Sequence, residues 1–412
     1  MPGLEYGLIG RSLKHSCSPE LHAGLGDYGY SLVELEPERL GSFLLAGDFK
    51  GLNVTIPYKQ AVIPFCGEIS ERARVIGAVN TLVRRGDGSL FGDNTDCAGF
   101  IYACRLSGIG FAGERVLVLG DGGASKAVCR AVWEMGAEKT TVISRKGENR
   151  YDMLPRFADY TRIINTTPVG MFPHCGDEPL IDLRAFPHCG GVADVIYNPL
   201  RTRLLQQAQL LGIPAAGGLP MLAAQAEYSR RIWFGQGEDG AEKNIARALA
   251  ELTKKRRGIA LIGMPGCGKS TVGRLLAAKA GLDFADADEE LERRAGMDIP
   301  RIFAEHGEAY FRGLESEVLA ELCASGGRVI AAGGGAILRE KNRTALRFNS
   351  RVVWLRRPLE ELATDGRPLS QGGAARRLWE ERKALYAQTA DLEVDNRGTA
   401  EDCAEKILSL LA

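Results

Sequence analysis

Residues 263–270 of this 412-residue chain read Gly-Met-Pro-Gly-Cys-Gly-Lys-Ser, which satisfies G-x-x-x-x-G-K-[ST] at every fixed position. An apolar run, Ile259-Ala260-Leu261-Ile262, precedes the string, and a helix-compatible stretch from Thr271 to Ala280 follows it. This combination constrains the fold more than any other feature. A strand must deliver the chain to a tight turn, and a helix must start there so that its N-terminal N–H groups face an anion. Gly266, Cys267, Gly268, Lys269, Ser270 and Thr271 are thus read as a phosphate cradle. Lys269 supplies a point charge and the Ser270 hydroxyl a magnesium ligand.

More than half of the chain stands before that loop, and its total length suggests two or three domains. Lys plus Arg equals Asp plus Glu at 52 each, which argues against nucleic acid or an anionic membrane as partner. The N-terminus lacks the basic and apolar regions of a signal peptide, and no apolar stretch reaches the roughly 18 residues of a spanning helix. Ten cysteines without C-x-x-C spacing suit reduced thiols. A cytoplasmic protein is expected. Short β-rich runs alternate with helical ones, which predicts an α/β fold with mainly parallel sheets. Candidate strands are Glu5–Ile9, Ser31–Leu35, Leu52–Ile56, Arg115–Leu119, Thr140–Ser144, Arg162–Asn165 and Gly191–Ile196, then Ile259–Ile262, Arg328–Ala332, Arg351–Leu355 and Leu392–Val394. The basic run at 253–257 reads as a solvated helix end and as the interdomain linker.

In the first half, the strand Arg115–Leu119 leads into Gly120-Asp-Gly-Gly-Ala-Ser125 and then a helical run, Lys126–Trp133. Gly120, Gly122, Gly123 and Ala124 suit close approach to a pyrophosphate, although the string departs from G-x-G-x-x-G. The next strand ends Ser144-Arg145-Lys146, and two cations there favour the 2′-phosphate of NADP over the ribose hydroxyls of NAD. Further strings occur in order: His-Ser-Cys-Ser-Pro at 15–19, Gly-Leu-Asn-Val-Thr-Ile-Pro-Tyr-Lys at 51–59, Gly-Ala-Val-Asn-Thr at 77–81 and Gly-Asp-Asn-Thr-Asp at 92–96. Asn-Thr-Thr-Pro-Val-Gly-Met at 165–171, Asp-Val-Ile-Tyr-Asn-Pro at 194–199 and Met-Leu-Ala-Ala-Gln-Ala at 221–226 complete the set.

As a set, these strings resemble shikimate dehydrogenase across about residues 4–250. The resemblance implies a substrate-binding domain at 1–97, joined by C-terminal helices at about 221–252, and a Rossmann-like NADP domain at 98–220. It places Ser16 and Ser18 on the substrate carboxylate and makes Lys59 and Asp96 the catalytic pair. Thr55, Asn80, Tyr197 and Gln225, with Asn53, become ring-binding groups, and Gly218 belongs to the cofactor site. The residue types fit the task. Reducing a ring ketone needs a proton donor beside the developing alkoxide, and Lys59 oriented by Asp96 can serve. Departures from the family pattern are Leu13 for a usual proline, Ala23 for asparagine, Pro220 for glycine and Lys146 for threonine.

Past the cradle come Asp286-Ala-Asp288, the stretch Ile302–Glu315, Gly333-Gly-Gly335, Arg367-Pro-Leu369 and Arg382-Lys-Ala-Leu-Tyr386. This series resembles shikimate kinase and implies a P-loop kinase domain at 258–412. Carried over, Asp286 joins Ser270 in holding Mg²⁺, and Asp288 accepts the proton of the attacking hydroxyl. Arg312 and Arg382 clamp the substrate carboxylate, a bidentate task suited to guanidinium, with Glu315 holding Arg312. Gly334 lets the backbone approach the ring, and Arg367, on a lid, stabilises the transferring phosphoryl group with Lys269. The lid is short and lacks the family's adenine-stacking arginine.

The two resemblances together imply consecutive steps: NADPH-dependent reduction of 3-dehydroshikimate, then ATP-dependent phosphorylation of shikimate. The alternative is a quinate/shikimate dehydrogenase fused to a non-catalytic nucleotide-binding module, against which Arg145 and the complete kinase residues both speak.

Overall fold

The computed structural model describes residues 4–14, 16–237, 239–362 and 374–411. The chain divides into two compact units. The first comprises Met1–Val169, Pro179–Tyr197 and Gln207–Leu252; the second comprises Gly170–Glu178, Asn198–Gln206 and Thr253–Ala412. The described residues form an α/β fold with three sheets.

Unit one carries two of the sheets. Strands β1 (Tyr6–Gly10), β2 (Tyr30–Glu34), β3 (Gly51–Val54), β4 (Glu68–Ile69), β5 (Thr81–Arg84) and β6 (Leu90–Asp93) form the first, in the order β2-β1-β3-β5-β6-β4. The central strands β1 and β3 are buried along their whole length, because both faces of the sheet are covered. β5 runs antiparallel to β3 and to β6. The strand assignments from sequence omitted β4, β5 and β6, yet Arg85-Gly-Asp-Gly-Ser89 is a turn signal between two four-residue apolar alternations. The Asp87 side chain accepts from the Ser89 N–H and hydroxyl and closes that turn.

The second sheet holds β7 (Arg115–Leu119), β8 (Lys139–Ile143), β9 (Arg162–Asn165), β10 (Gly191–Asp194) and the two-residue β11 (Ala215–Ala216), in the order β11-β10-β9-β7-β8. All of its pairings are parallel. The helix Gly123–Glu134 lies against it through Ala127, Val128, Ala131 and Val132, the i, i+1, i+4, i+5 stripe of an amphipathic helix.

Unit two is built on β12 (Gly258–Ile262), β13 (Asp283–Asp286), β14 (Arg328–Ala331), β15 (Ser350–Arg356) and β16 (Leu392–Asp395), in the order β13-β14-β12-β15-β16 and parallel throughout. The run of apolar residues in β12 is fully buried, which places it at the centre of the sheet. β13 was not among the strands expected from sequence; Asp-Phe-Ala-Asp offers too little apolar character, and only its pairing with β14 makes it a strand. The long helix Ile299–Ala324 is broken at Gly307 (φ 79°, ψ 173°), so Arg312 stands near the start of a fresh helical segment.

Two segments from the middle of the chain belong to this second body. Cys175 is buried in the core that contains Leu261, Leu276, Leu319 and Val353, and Phe172 packs on that core. The Arg201 guanidinium grips the Asp391 carboxylate with both terminal nitrogens, at 2.8 and 3.0 Å, and donates from Nε to the Arg347 carbonyl at 2.8 Å. Asn349 accepts from the Leu200 N–H at 2.8 Å. The boundary expected at 253–257 therefore leaves out residues that complete the second core. That run is helical up to Arg256, inside the helix Ala241–Arg256, and Gly258 already starts β12.

Candidate active sites

In unit one, Lys59 follows β3 and Asp96 opens the helix Asp96–Leu106. Lys59 Nζ donates to Asp96 Oδ2 at 2.5 Å, and only 17% and 8% of the two side chains is exposed. The other oxygen, Oδ1, accepts from Asn80 Nδ2 at 2.8 Å. Asn80 also donates to Gln225 Oε1 at 3.4 Å, and its Oδ1 accepts the Thr95 N–H at 2.8 Å. A Cβ added to Gly123 would stand 3.7 Å from Lys59 Cδ, so the lysine lies at the mouth of the glycine-rich turn. Lys59, Asp96 and the glycine-rich turn thus meet in one place.

Behind this pair stand buried hydroxyls, among them Ser229, to which no motif role attaches. Ser229 Oγ lies 2.8 Å from Asn53 Nδ2, 2.7 Å from Thr81 Oγ1 and 3.1 Å from Thr95 Oγ1, and all four residues are buried. Tyr30 donates to Asn53 Oδ1 at 2.9 Å. Asn53 is thereby engaged at both ends of its amide and acts as internal scaffolding beside the expected ring-binding groups. Ser229 stands one helical turn after Gln225 on Gly218–Trp233, so i, i+4 spacing was the signal available for it.

The other expected groups are placed as follows. Ser16 donates to Ser18 Oγ at 3.1 Å, and Ser18 is buried at the start of the helix Ser18–Leu25; His15 lies outside the described residues. The Thr55 N–H donates to the Ile9 carbonyl at 3.0 Å, which fixes it beyond β3. Tyr197 is half-buried past the end of β10.

The dinucleotide turn fits a pyrophosphate on its own geometry. Gly120 has φ +102°, and a Cβ there would meet Thr166 Oγ1 and Thr167 Cγ2 at 2.9 Å. Nothing lies within 4 Å of a Cβ on Gly122, and Gly123 and Ala124 begin the helix, leaving its N-terminal N–H groups open. Arg145 and Lys146 are exposed just past the end of β8, whereas Ser144 is buried and its Oγ accepts from the Gly147 N–H at 2.8 Å, holding that turn. Gly218 is required by packing, since a Cβ there would fall 2.2 Å from the Val195 carbonyl oxygen.

In unit two, Gly266 and Gly268 have φ +82° and +93°, and the helix Lys269–Ala280 starts directly after them. Cys267 is buried, its carbonyl accepting from Asn396 Nδ2 at 2.7 Å, and exposed Thr271 follows Ser270 in the first turn of that helix. Lys269 Nζ caps the Gly263 and Met264 carbonyls at 3.0 Å. Ser270 donates to Asp286 Oδ2 at 2.5 Å, so hydroxyl and carboxylate sit as a ready pair of oxygen ligands. Asp286 also caps the helix Ala287–Ala295 by accepting from the Asp288 N–H at 3.0 Å. Burial, and next the Asp286 charge, push the Asp288 carboxyl up to about 6.

Beside it, Arg312 Nη1 lies 3.0 Å from both oxygens of Glu315, which is buried. Burial raises the Glu315 pKa, with the Arg312, Arg339 and Arg382 charges opposing that rise. A Cβ on Gly333 would reach 2.7 Å from Asp288 Oδ1, and one on Gly335 would reach 2.7 Å from both Arg312 Nη atoms. The Gly334 carbonyl accepts from Arg382 Nη1 at 3.1 Å and Tyr386 Oη at 2.6 Å. Arg382 is buried, and its Nε finds no acceptor among the described residues. Two guanidinium groups therefore converge on the glycine run beside Asp288. Arg367 and the short lid around it lie outside the described residues.

Among the described residues, no helix is long and apolar enough to cross a membrane. Residues 8–82 match the family model for the shikimate dehydrogenase substrate binding domain, and residues 265–412 match that for shikimate kinase. A shikimate dehydrogenase (NADP(+)) of Caldicellulosiruptor bescii is 38% identical over 257 residues, covering 55% of this chain and 88% of the relative. A solved shikimate 5-dehydrogenase of Thermus thermophilus, in complex with NADP(H) and shikimate, is 33% identical with a TM-score of 0.53. It covers 60% of this chain and 99% of its own. A quinate dehydrogenase of Corynebacterium glutamicum, in complex with NAD, is 28% identical with a TM-score of 0.54, covering 60% and 99%. The chain belongs to the shikimate dehydrogenase family over its N-terminal part and carries a shikimate kinase domain behind it.

Proposed function

We propose that this chain catalyses two consecutive steps on one small acidic polyol. Unit one reduces 3-dehydroshikimate to shikimate with NADPH, and unit two phosphorylates shikimate to shikimate 3-phosphate with ATP and Mg²⁺. The observation that supports the reading is that each unit has its own candidate proton-transfer group: Lys59, paired with Asp96, in unit one, and Asp288, with its raised pKa, in unit two. Bound NADPH supplies a hydride, bound ATP the phosphoryl group, and Mg²⁺ offsets phosphate charge.

The residues divide the work. Ser16 and Ser18 hold the carboxylate of the ketone substrate, while Thr55, Asn80, Tyr197 and Gln225 take its hydroxyls. Lys59 gives a proton to the former carbonyl oxygen, and Asp96, fixed by Asn80, keeps the ammonium aimed. Arg145 and Lys146 select the 2′-phosphate of NADP, which favours this reading over the NAD-linked quinate alternative. In unit two, Arg312 and Arg382 bind the shikimate carboxylate as charge-assisted hydrogen bonds. Asp288, with its raised pKa, accepts the proton of the attacking hydroxyl. Lys269 leaves its resting carbonyls to meet phosphate charge, and Arg367 shares that task. Ser270 and Asp286 hold the magnesium ion. Both partners are small molecules, and a cytoplasmic location suits both sets of substrates.

Incubating the chain with 3-dehydroshikimate, NADPH, ATP and magnesium should consume NADPH and yield shikimate 3-phosphate. Parallel rates with NADP or NAD, and with shikimate or quinate, separate the two readings. Faster turnover of quinate with NAD, and no ATP-dependent product, would establish the alternative.

A further inference from the structure

Arg312 is held on its carboxylate side by Glu315, but its helical segment begins only at the break at Gly307. A third arginine, absent from the roles above, ties this segment to the glycine run. Arg339 follows the glycine run and precedes the helix Glu340–Leu346, to which it gives no side-chain cap. Its Nη1 instead donates to the Arg312 carbonyl at 2.7 Å and reaches Ser316 Oγ at 3.5 Å. Ser316 Oγ donates to that same carbonyl at 2.9 Å.

We propose that Arg339 is a positioning residue for the kinase substrate site, locking the helical turn that carries Arg312 to the loop that carries Gly333–Gly335. This rests on the shikimate kinase reading of unit two. The glycine loop meets the other clamp through Arg382 Nη1 and Tyr386 Oη on the Gly334 carbonyl. The loop is thus pinned to Arg312 at one end and to Arg382 at the other. The spacing between the two guanidinium groups is set by three contacts, 312–339, 334–382 and 334–386. A carboxylate bridging both arginines needs that spacing fixed before it binds, because disordered long side chains lose rotamer freedom on binding. Arg339 donates to the Arg312 backbone and leaves the Arg312 side chain to the substrate.

The test uses the full chain carrying Arg339→Met, with Arg339→Lys as the conservative variant and the dehydrogenase rate of the same preparation as control. The expected result is a KM for shikimate raised about tenfold, with kcat and the KM for ATP within about twofold of the unmodified chain. Arg339→Lys, which keeps one charged donor, should recover most of that loss. Dehydrogenase kinetics should not change. An unaltered KM for shikimate overturns the inference. So does an equal fall in kcat and in kcat/KM, or a lysine variant no better than methionine, because either marks a structural role. Failure of the unmodified chain to phosphorylate shikimate overturns the kinase reading and this inference with it.

Discussion

The two candidate sites are built from opposite materials. Among the described residues, the candidate dehydrogenase site sets the charged pair Lys59 and Asp96 in a buried lattice of neutral groups: Asn53, Asn80, Thr81, Thr95 and Ser229. The kinase site is crowded with charge, with Asp286, Asp288 and Glu315 facing Lys269, Arg312, Arg339 and Arg382. The difference follows from the chemistry. A ketone reduction develops charge on one oxygen, so one cation suffices and stray charge would compete for it. Phosphoryl transfer moves a highly charged group, so the site must supply several cations and still keep a carboxylate basic. Neutral lattices gain their stiffness from complete hydrogen bonding, and charged ones from ion pairs that shift pKa values.

The largest expected effect separates the two regions outright. Lys59→Ala should lower reduction by about 10³-fold and leave phosphorylation intact, while Lys269→Ala should do the converse. Initial rates of NADPH oxidation and of shikimate 3-phosphate formation check both, and a variant that lowers both rates equally would show that the sites are not separable.

The second contrast is in pH. Because Asp288 is pushed up to about 6, it is protonated below that value and cannot accept the hydroxyl proton. The kcat/KM for shikimate in the kinase step should fall about tenfold per pH unit below about pH 6. Asp288→Asn should lower phosphorylation at every pH and leave no such limb. A flat profile across that range would remove Asp288 as the base.

A smaller effect concerns how the charged unit is held together. Arg201→Met should destabilise unit two by about 3 kcal/mol, because it leaves the largely buried Asp391 carboxylate unpaired. Burial alone would raise the Asp391 pKa, but the Arg201 hydrogen bonds and charge more than offset it and the net shift is downward. A depressed carboxylate stabilises the fold above its unfolded pKa and loses that contribution as pH falls through the folded value. The difference between Arg201→Met and the unmodified chain should therefore be full at neutral pH and shrink below about pH 4, as urea melts of the kinase signal would register. A chain cut at the 252–253 boundary lacks Arg201 and Cys175, so it should be less stable than the intact chain by at least as much.

The smallest expected effect probes the neutral lattice. Ser229→Ala removes the hydroxyl shared by Asn53, Thr81 and Thr95 and should cost about 1 kcal/mol of stability in unit one. The KM for 3-dehydroshikimate should rise modestly with it. An unchanged melting temperature would mean that the lattice re-forms around the gap.

Much of both candidate sites was legible because the residues that suggest them lie in short local strings. Positive φ at Gly120, Gly266 and Gly268 is a local backbone demand that only glycine meets cheaply, so the turns announce themselves. The Ser270–Asp286 and Arg312–Glu315 pairs are close in sequence, and helical or strand–loop–helix geometry brings them together without help from the rest of the chain. Strands β4 to β6 and β13 were harder to read, since they are two to four residues long and gain their identity from a neighbour.

The sequence by itself determined the two families and their order along the chain, and it singled out the glycine-rich turns with Lys59, Asp96 and Asp288 as candidate groups. The tertiary structure decided which distant groups support them. Asn53 finds Ser229 across 176 residues, and Arg201 finds Asp391 across 190. Hydrophobic periodicity reports that a position is buried, but a buried polar group is stable only with a specific partner. That partner is fixed by how whole elements pack. Two short segments written within the dehydrogenase half therefore became part of the second unit.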